Sequence, residues 1–161
     1  MTVISGTGHR PQKLGNEWDG IGPCSDWIRL ELKKVFEKQK PDIIVSGMAL
    51  GYDMLLAEVA IEMSVPLTAA VPFIGQESAW TSKSQERFFR ILEKAKRIVV
   101  VSEGEYSPEK MQIRNEWMVN NSDKLVACWN KTPGGTGNCV KYAKSVNKEI
   151  IYLPIWDFKV S

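Results

Sequence analysis

Six short apolar runs, each separated from the next by a segment of different periodicity, constrain this chain more than any other feature: Thr2–Ser5, Asp42–Ser46, Pro66–Val71, Arg97–Ser102, Lys124–Trp129 and Glu149–Leu153. Their apolar and β-branched residues are contiguous rather than alternating. That is the pattern of strands buried on both faces of a parallel sheet. Parallel neighbours require long crossover connections, usually helical. The intervening segments are suited to that role, so the sequence predicts α/β architecture: a Rossmann-like, doubly wound, mostly parallel sheet with helices on both faces.

Each predicted crossover helix has its own boundary chemistry. Ser25 is positioned to cap a helix that carries Ile28, Leu32, Val35 and Phe36 on one face and ends before Pro41. Tyr52–Ser64 is rich in alanine and leucine. Ser82 and Gln85 form a capping-box pair ahead of Phe88, Ile91, Leu92 and Ala95. Ser107-Pro108 reads as a cap followed by proline in the first turn, opening Glu109–Asn121. A last helix follows the glycines at 134–137.

The 161 residues suffice for one domain, expected to span 1–161, with 43% hydrophobic and 25% charged residues. Lys+Arg 21 against Asp+Glu 19 leaves a net charge of +2, with no basic stripe for duplex DNA, so nucleic acid is not the expected partner. His9 is the only histidine, which excludes a multi-histidine metal site and routes any Ser-His-Asp or Cys-His mechanism through one residue. Cys24, Cys128 and Cys139 form no Cys-x-x-Cys pair and read as reduced thiols of an intracellular protein. Met1–Gly6 lacks a basic leader, and no apolar stretch approaches a membrane span of about 18 residues. A cytoplasmic protein without membrane, metal or cofactor requirements is therefore expected.

In open parallel sheets, ligands bind beyond the carboxyl ends of strands, where strand order reverses. The first such loop, Ser5-Gly6-Thr7-Gly8-His9-Arg10-Pro11, combines two glycines with donors suited to phosphate on Thr7, His9 and Arg10. It is neither a Walker loop nor a dinucleotide fingerprint. The second, Ser46-Gly47-Met48-Ala49-Leu50-Gly51-Tyr52-Asp53, leads into a helix whose N-terminus attracts anions. There, Asp53 can either cap the helix or hold a ribose hydroxyl. After the fifth strand, Pro133-Gly134-Gly135-Thr136-Gly137-Asn138 gives the strongest phosphate signal, since small residues at the head of a helix expose backbone N–H groups. On the fourth helix, Arg114 shares a face with Met111 and Met118. Alone, that arginine reads as a snorkelling surface residue or as an anion contact.

Taken together, Gly-Thr-Gly-His-Arg-Pro, Ser-Gly-Met-Ala-x-Gly-x-Asp, Pro-Phe and Pro-Gly-Gly-Thr-Gly resemble the SLOG superfamily, in particular its small YpsA-like phage and bacterial branch. The resemblance covers nearly the whole chain. It implies a Rossmann-like fold, a nucleotide-type ligand and a homodimer with the arginine-bearing helix near the interface. LOG-type nucleotide phosphoribohydrolases in this group carry Pro-Gly-Gly-x-Gly-Thr-x-x-Glu and Met-His-x-Arg-Lys-x-x-Met motifs. Met111, Arg114 and Met118 match the second at identical spacing, which makes Arg114 an expected site residue. The chain departs from these motifs at Asn138, Gln112 and Asn115, and Lys141 stands where the LOG-type glutamate would be.

Lysine cannot stabilise an oxocarbenium-like centre or activate water. Catalysis of N-glycosidic cleavage would fall to Asp53, Glu77 or Glu116, with His9 as proton donor and Arg114 beside them. The expected binding set is Gly6, Thr7, Gly8, Arg10, Ser46, Gly47, Met48, Gly51, Gly134, Gly135, Thr136, Gly137 and Asn138. Two principal readings stand: a nucleotide-binding protein that cleaves or exchanges a glycosidic bond, and a sensor or sequestering protein that keeps the cradle without turnover. A third, a single-stranded-DNA processing accessory, draws on Trp18, Trp80, Trp117 and Trp129 as stacking surfaces.

Overall fold

The computed structural model describes residues 1–154; positions 155–161 of the expected domain lie outside the described residues. In chain order the elements are β1 (Val3–Gly8), a 3-10 turn (Pro11–Lys13), α1 (Pro23–Gln39), β2 (Ile43–Ser46), α2 (Tyr52–Glu62), β3 (Leu67–Val71), α3 (Ser82–Lys94), β4 (Arg97–Val100), α4 (Pro108–Asn120), β5 (Lys124–Cys128), α5 (Gly135–Ser145) and β6 (Glu149–Tyr152). The strands form one six-stranded sheet in the order β4-β3-β2-β1-β5-β6, and every pairing is parallel.

Contiguous apolar runs are explained by the two cores they feed. Ile4, Ile44 and Ala69 face a large core shared with α1, α2 and α3. Their chain neighbours Val45 and Ala70 face the opposite side, where Met118 of α4 packs. Val119, Leu125, Cys139 and Ala143 close a third cluster between α4, β5 and α5. Successive residues of a strand point to opposite faces, so both must be apolar where helices cover both sides. All three cysteines are buried and free; burial raises the thiol pKa of Cys24 and Cys139 to about 11, and that of Cys128 also lies above the ordinary range. Such thiols are poor nucleophiles.

Helix boundaries follow local chemistry with two corrections. Ser107 caps α4 as expected, its Oγ accepting from Lys110 N–H at 3.3 Å, with a proline opening the helix. For α3, however, the cap is Thr81, whose side chain accepts from Ser84 N–H at 3.2 Å; Gln85 instead donates to the Glu77 carbonyl. For α1, Ser25 lies inside the first turn and is buried. The Glu17 carboxylate accepts from Cys24 N–H at 2.9 Å and from Ser25 N–H at 2.6 Å, doing from a preceding loop what a side-chain cap does locally. The largest boundary difference is β1, which continues to Gly8 because Gly6, Thr7 and Gly8 pair with Val126, Ala127 and Cys128 of β5.

Candidate functional site

Winding outward from β1 to β4 and then back to β5 makes the strand order reverse between β1 and β5. At the carboxyl ends of those two strands lies a cavity of about 360 Å³. It is lined by Thr7, Gly8, His9, Arg10, Gln12 and Lys13 from β1 and the turn after it. Ala49 and Asp53 contribute from the β2–α2 connection, Met111, Arg114, Asn115 and Met118 from α4, and residues 132–136 from the loop opening α5.

Arg114 is 3% exposed and held by three acceptors. Its Nη1 donates to the Gly47 carbonyl at 2.5 Å and the Ala70 carbonyl at 3.4 Å, and its Nε donates to Asn115 Oδ1 at 3.1 Å. Its Nη2 makes no hydrogen bond among the described residues. Nor does Asn115 Nδ2, although Asn115 is also buried and lines the cavity. Both leave donors for a guest.

Asp53 is 6% exposed, with Oδ2 accepting from Ala49 N–H at 3.3 Å and Oδ1 without a hydrogen bond among the described residues. Burial pushes its carboxyl pKa up, opposed by the Arg114 and Arg10 charges and by the Ala49 N–H. Burial conversely lowers the guanidinium pKa of Arg114, with Asp53 opposing.

His9 is buried, and its Nε2 accepts from Asn130 N–H at 2.9 Å. Only a neutral ring has that lone pair, which leaves the proton on Nδ1. Burial and the neighbouring Lys13 charge lower its pKa below 6.5, against a contact with the Asn130 side chain. Nε2 is therefore a structural acceptor, and the proton that the neutral ring retains is the one on Nδ1.

One pH prediction follows. Between pH 6.5 and the lower folded-state pKa, the unfolded chain binds the His9 proton that the folded chain refuses. The stability this supplies is complete above pH 6.5 and is lost as pH falls. In thermal melts from pH 7.5 to 5.5, His9→Gln keeps an acceptor for Asn130 but should show a shallower acid decline than wild type. Parallel declines would exclude His9 as the source.

The N-terminus of α5 supplies the fourth wall. Gly134 contributes no side-chain cap, and Gly135 and Thr136 N–H make no hydrogen bond among the described residues. Lys13 Nζ donates to Thr132 Oγ1 at 2.7 Å, joining the turn after β1 to this loop. The expected residues Thr7, Gly8, His9, Arg10, Asp53, Arg114, Gly134, Gly135 and Thr136 thus converge on the cavity.

Other expected residues stand outside the lining. A Cβ on Gly6 would meet Leu56 Cδ2 at 2.5 Å, so this glycine makes room for α2. Ser46 Oγ donates to the Asp53 carbonyl and accepts from Met48 N–H, shaping the β2–α2 turn in which Met48 is wholly buried at φ 61°. Gly47 lies beneath Arg114, and Gly51, at φ 91°, lets α2 meet the His9 carbonyl. Gly137 packs against Trp129, while Asn138 N–H bonds to the Gly134 carbonyl inside α5. Glu116 is partly exposed and pairs with Gln112 at 3.1 Å, and Glu77 also lies outside the lining.

Lys13, Gln12 and Asn115 were missing from the expected set. Arg10 and Lys13 are three residues apart around Pro11, and side chains at that spacing eclipse on a 3-10 turn. This was the available signal for Lys13.

A parallel sheet with its cavity at the strand-order reversal defines the Rossmann-like α/β class. The chain belongs to the YspA SLOG family, whose model matches residues 4–154, in agreement with the resemblance carried by its loops. A UPF0398 protein of Bacillus cereus (strain G9842) is 30% identical over 154 residues, covering 89% of this chain and 83% of the relative. DNA processing protein A from Streptococcus pneumoniae has a similar fold, with a TM-score of 0.69 at 15% identity; the match covers 96% of this chain but only 50% of that one. The molybdenum cofactor binding protein from Rippkaea orientalis aligns with a TM-score of 0.61 at 16% identity, covering 94% of this chain and 75% of that protein. Among the described residues, no helix is long and apolar enough to cross a membrane.

Proposed function

We propose that the cavity binds a phosphorylated, nucleotide-type small molecule, with phosphate at the head of α5 and the sugar or base toward Arg114, Asn115 and Asp53. The observation that carries this reading is the buried Arg114 guanidinium, clamped on one side and unpartnered at Nη2 on the other. A buried cation is retained where its partners offset a desolvation cost of several kcal/mol, and an anionic guest completes this set. Arg10, Lys13 and the uncapped α5 N-terminus add positive potential along the same wall. Gly134 and Gly135 carry the cradle role, since a Cβ there would meet nothing within 4 Å and the space in front of the backbone is open.

Binding without turnover is favoured over glycosidic cleavage by the lining itself. Asp53 is its sole carboxylate among the described residues, and one of its oxygens is committed to Ala49. The single-stranded-DNA reading has weak support: Trp80, Trp117 and Trp129 are partly buried, and Trp129 Nε1 donates to the Thr132 carbonyl. Trp18, at 43% exposed, is the one expected stacking tryptophan on the surface.

The test incubates the protein with AMP, GMP, NAD and ADP-ribose, following free base and melting temperature together. A ligand at 100 times its Kd adds about 2.7 kcal/mol, or roughly 5–10 °C for a chain of this size. Such a shift with intact ligand supports binding without turnover; base release establishes cleavage. No shift with any member of the panel overturns the reading. Gly135→Asp should leave the unliganded melting temperature unchanged or slightly raised, since acids favour helix N-termini by about 0.3–1 kcal/mol. The same substitution should weaken anion binding at least tenfold, and unchanged affinity would move the phosphate elsewhere.

A further inference from the structure

The two edges of the sheet are treated differently. On β6, Ile150 and Ile151 are partly buried and pack against the cores. On β4, Ile98 and Val100 are 51% and 44% exposed. They share one face of the strand, the face that α3 covers further in, and Phe89 of α3 is 49% exposed. Among the described residues, the outer backbone edge of β4 has no strand beside it. A bare apolar edge of this kind templates pairing with another chain.

Charge along the edge specifies the partner. At the amino end of β4, Lys94, Lys96 and Arg97 outweigh Glu93, and just beyond the carboxyl end lie Glu103, Glu105 and Glu109. All seven are exposed, and none makes a side-chain ion pair among the described residues. The partly buried Lys110 at the acidic end donates to the Glu105 carbonyl and leaves that end net acidic. Elsewhere on the surface, Arg29, Lys33, Lys34, Lys83 and Lys124 do find acidic partners. An element basic at one end, acidic at the other and apolar between complements itself after a half-turn rotation, as an isologous two-fold interface requires.

We propose that β4 is a homodimer interface in which a second copy pairs antiparallel, edge to edge, about a two-fold axis near Val99. The sheet then continues across both subunits. Ile98 of each copy faces Val100 of the other, and each basic end meets the partner's acidic loop. This differs from the arrangement implied by family resemblance, which places the interface near α4.

The experiment is sedimentation of the full chain at several concentrations and at low and high salt, with circular dichroism confirming the fold of each variant. Wild type should sediment as a dimer that weakens with salt. Reversing one end (Lys94→Glu, Lys96→Glu, Arg97→Glu) should raise the dimer Kd at least tenfold, as should Glu103→Lys with Glu105→Lys. Combining all five restores self-complementarity and should restore the dimer. Val100→Lys should give monomers that remain folded, since the side chain is at the surface. A wild-type monomer at tens of micromolar overturns the proposal. So does a dimer indifferent to both Val100→Lys and the reversals.

Discussion

Gly8→Ala is expected to destabilise the fold by about 3 kcal/mol or more, the upper part of the range for overpacking a well-filled core. A methyl group there would lie 2.5 Å from Tyr52 Cβ and Cδ1. Tyr52 is fully buried at the start of α2, and its hydroxyl donates to the Val126 carbonyl of β5 at 3.3 Å. The ring therefore crosses beneath β1 and is held at both ends. Gly8 cannot retreat, because it pairs with Cys128 in the centre of the sheet. The melting temperature should fall by roughly 6–12 °C, and Gly8→Val should not fold. Gly135→Ala, at an equally glycine-rich loop with open space around it, should be near neutral. Tyr52→Ala removes Cγ and Cδ1 from beside the new methyl group, so its cost and that of Gly8→Ala should be non-additive when the two are paired. A wild-type melting temperature for Gly8→Ala would refute the role assigned to the ring.

Arg114→Met should reduce affinity for a nucleoside monophosphate by about 10- to 150-fold, which corresponds to losing a charged hydrogen bond of roughly 1.5–3 kcal/mol. Calorimetric titration with AMP or GMP, whichever wild type binds, measures it. Stability is affected by two opposing terms. Methionine fills much of the volume but strips the Gly47 and Ala70 carbonyls and Asn115 Oδ1 of their donor. Each buried acceptor left unpaired costs about 1–3 kcal/mol, offset by removing a charge that burial disfavours. The net expectation is a modest loss of stability beside a large loss of binding. Arg114→Lys retains the charge but cannot span acceptors on the β2–α2 connection, β3 and α4 while presenting a donor to the cavity. Its affinity should therefore fall nearly as far. Wild-type affinity in Arg114→Lys would reduce the residue to a point charge.

The β1 glycines show how far the residues alone could be read. Gly6 and Gly8 were expected to let a ligand approach the backbone. Gly8 does line the cavity, but both also make room for Tyr52, which is 46 and 44 positions away. Nothing local distinguishes a glycine emptied for a guest from one emptied for a distant ring. The caps of α1 and α4 differ for the same reason. Ser107 acts within one turn and was legible; Glu17 reaches Cys24 and Ser25 across a loop and was not. Arg114 illustrates the reverse case, since its spacing with Met111 and Met118 identified a face of α4 before any neighbour was known.

Strand count, fold class and the glycine-rich turn before α5 were set by the chain's own periodicities, which depend on residues a few positions apart and a solvent they must avoid. Tertiary structure decided which strand ends adjoin. Only the return of the chain to place β5 beside β1 brings His9 to Asn130, Lys13 to Thr132 and Arg114 over Gly47. These contacts span 67 to 121 positions. Hydrophobic patterning specifies which faces are buried but not which buried groups meet, because burial is non-directional. The pairing of polar groups inside the cavity is fixed by strand order, and strand order is a property of the packed sheet.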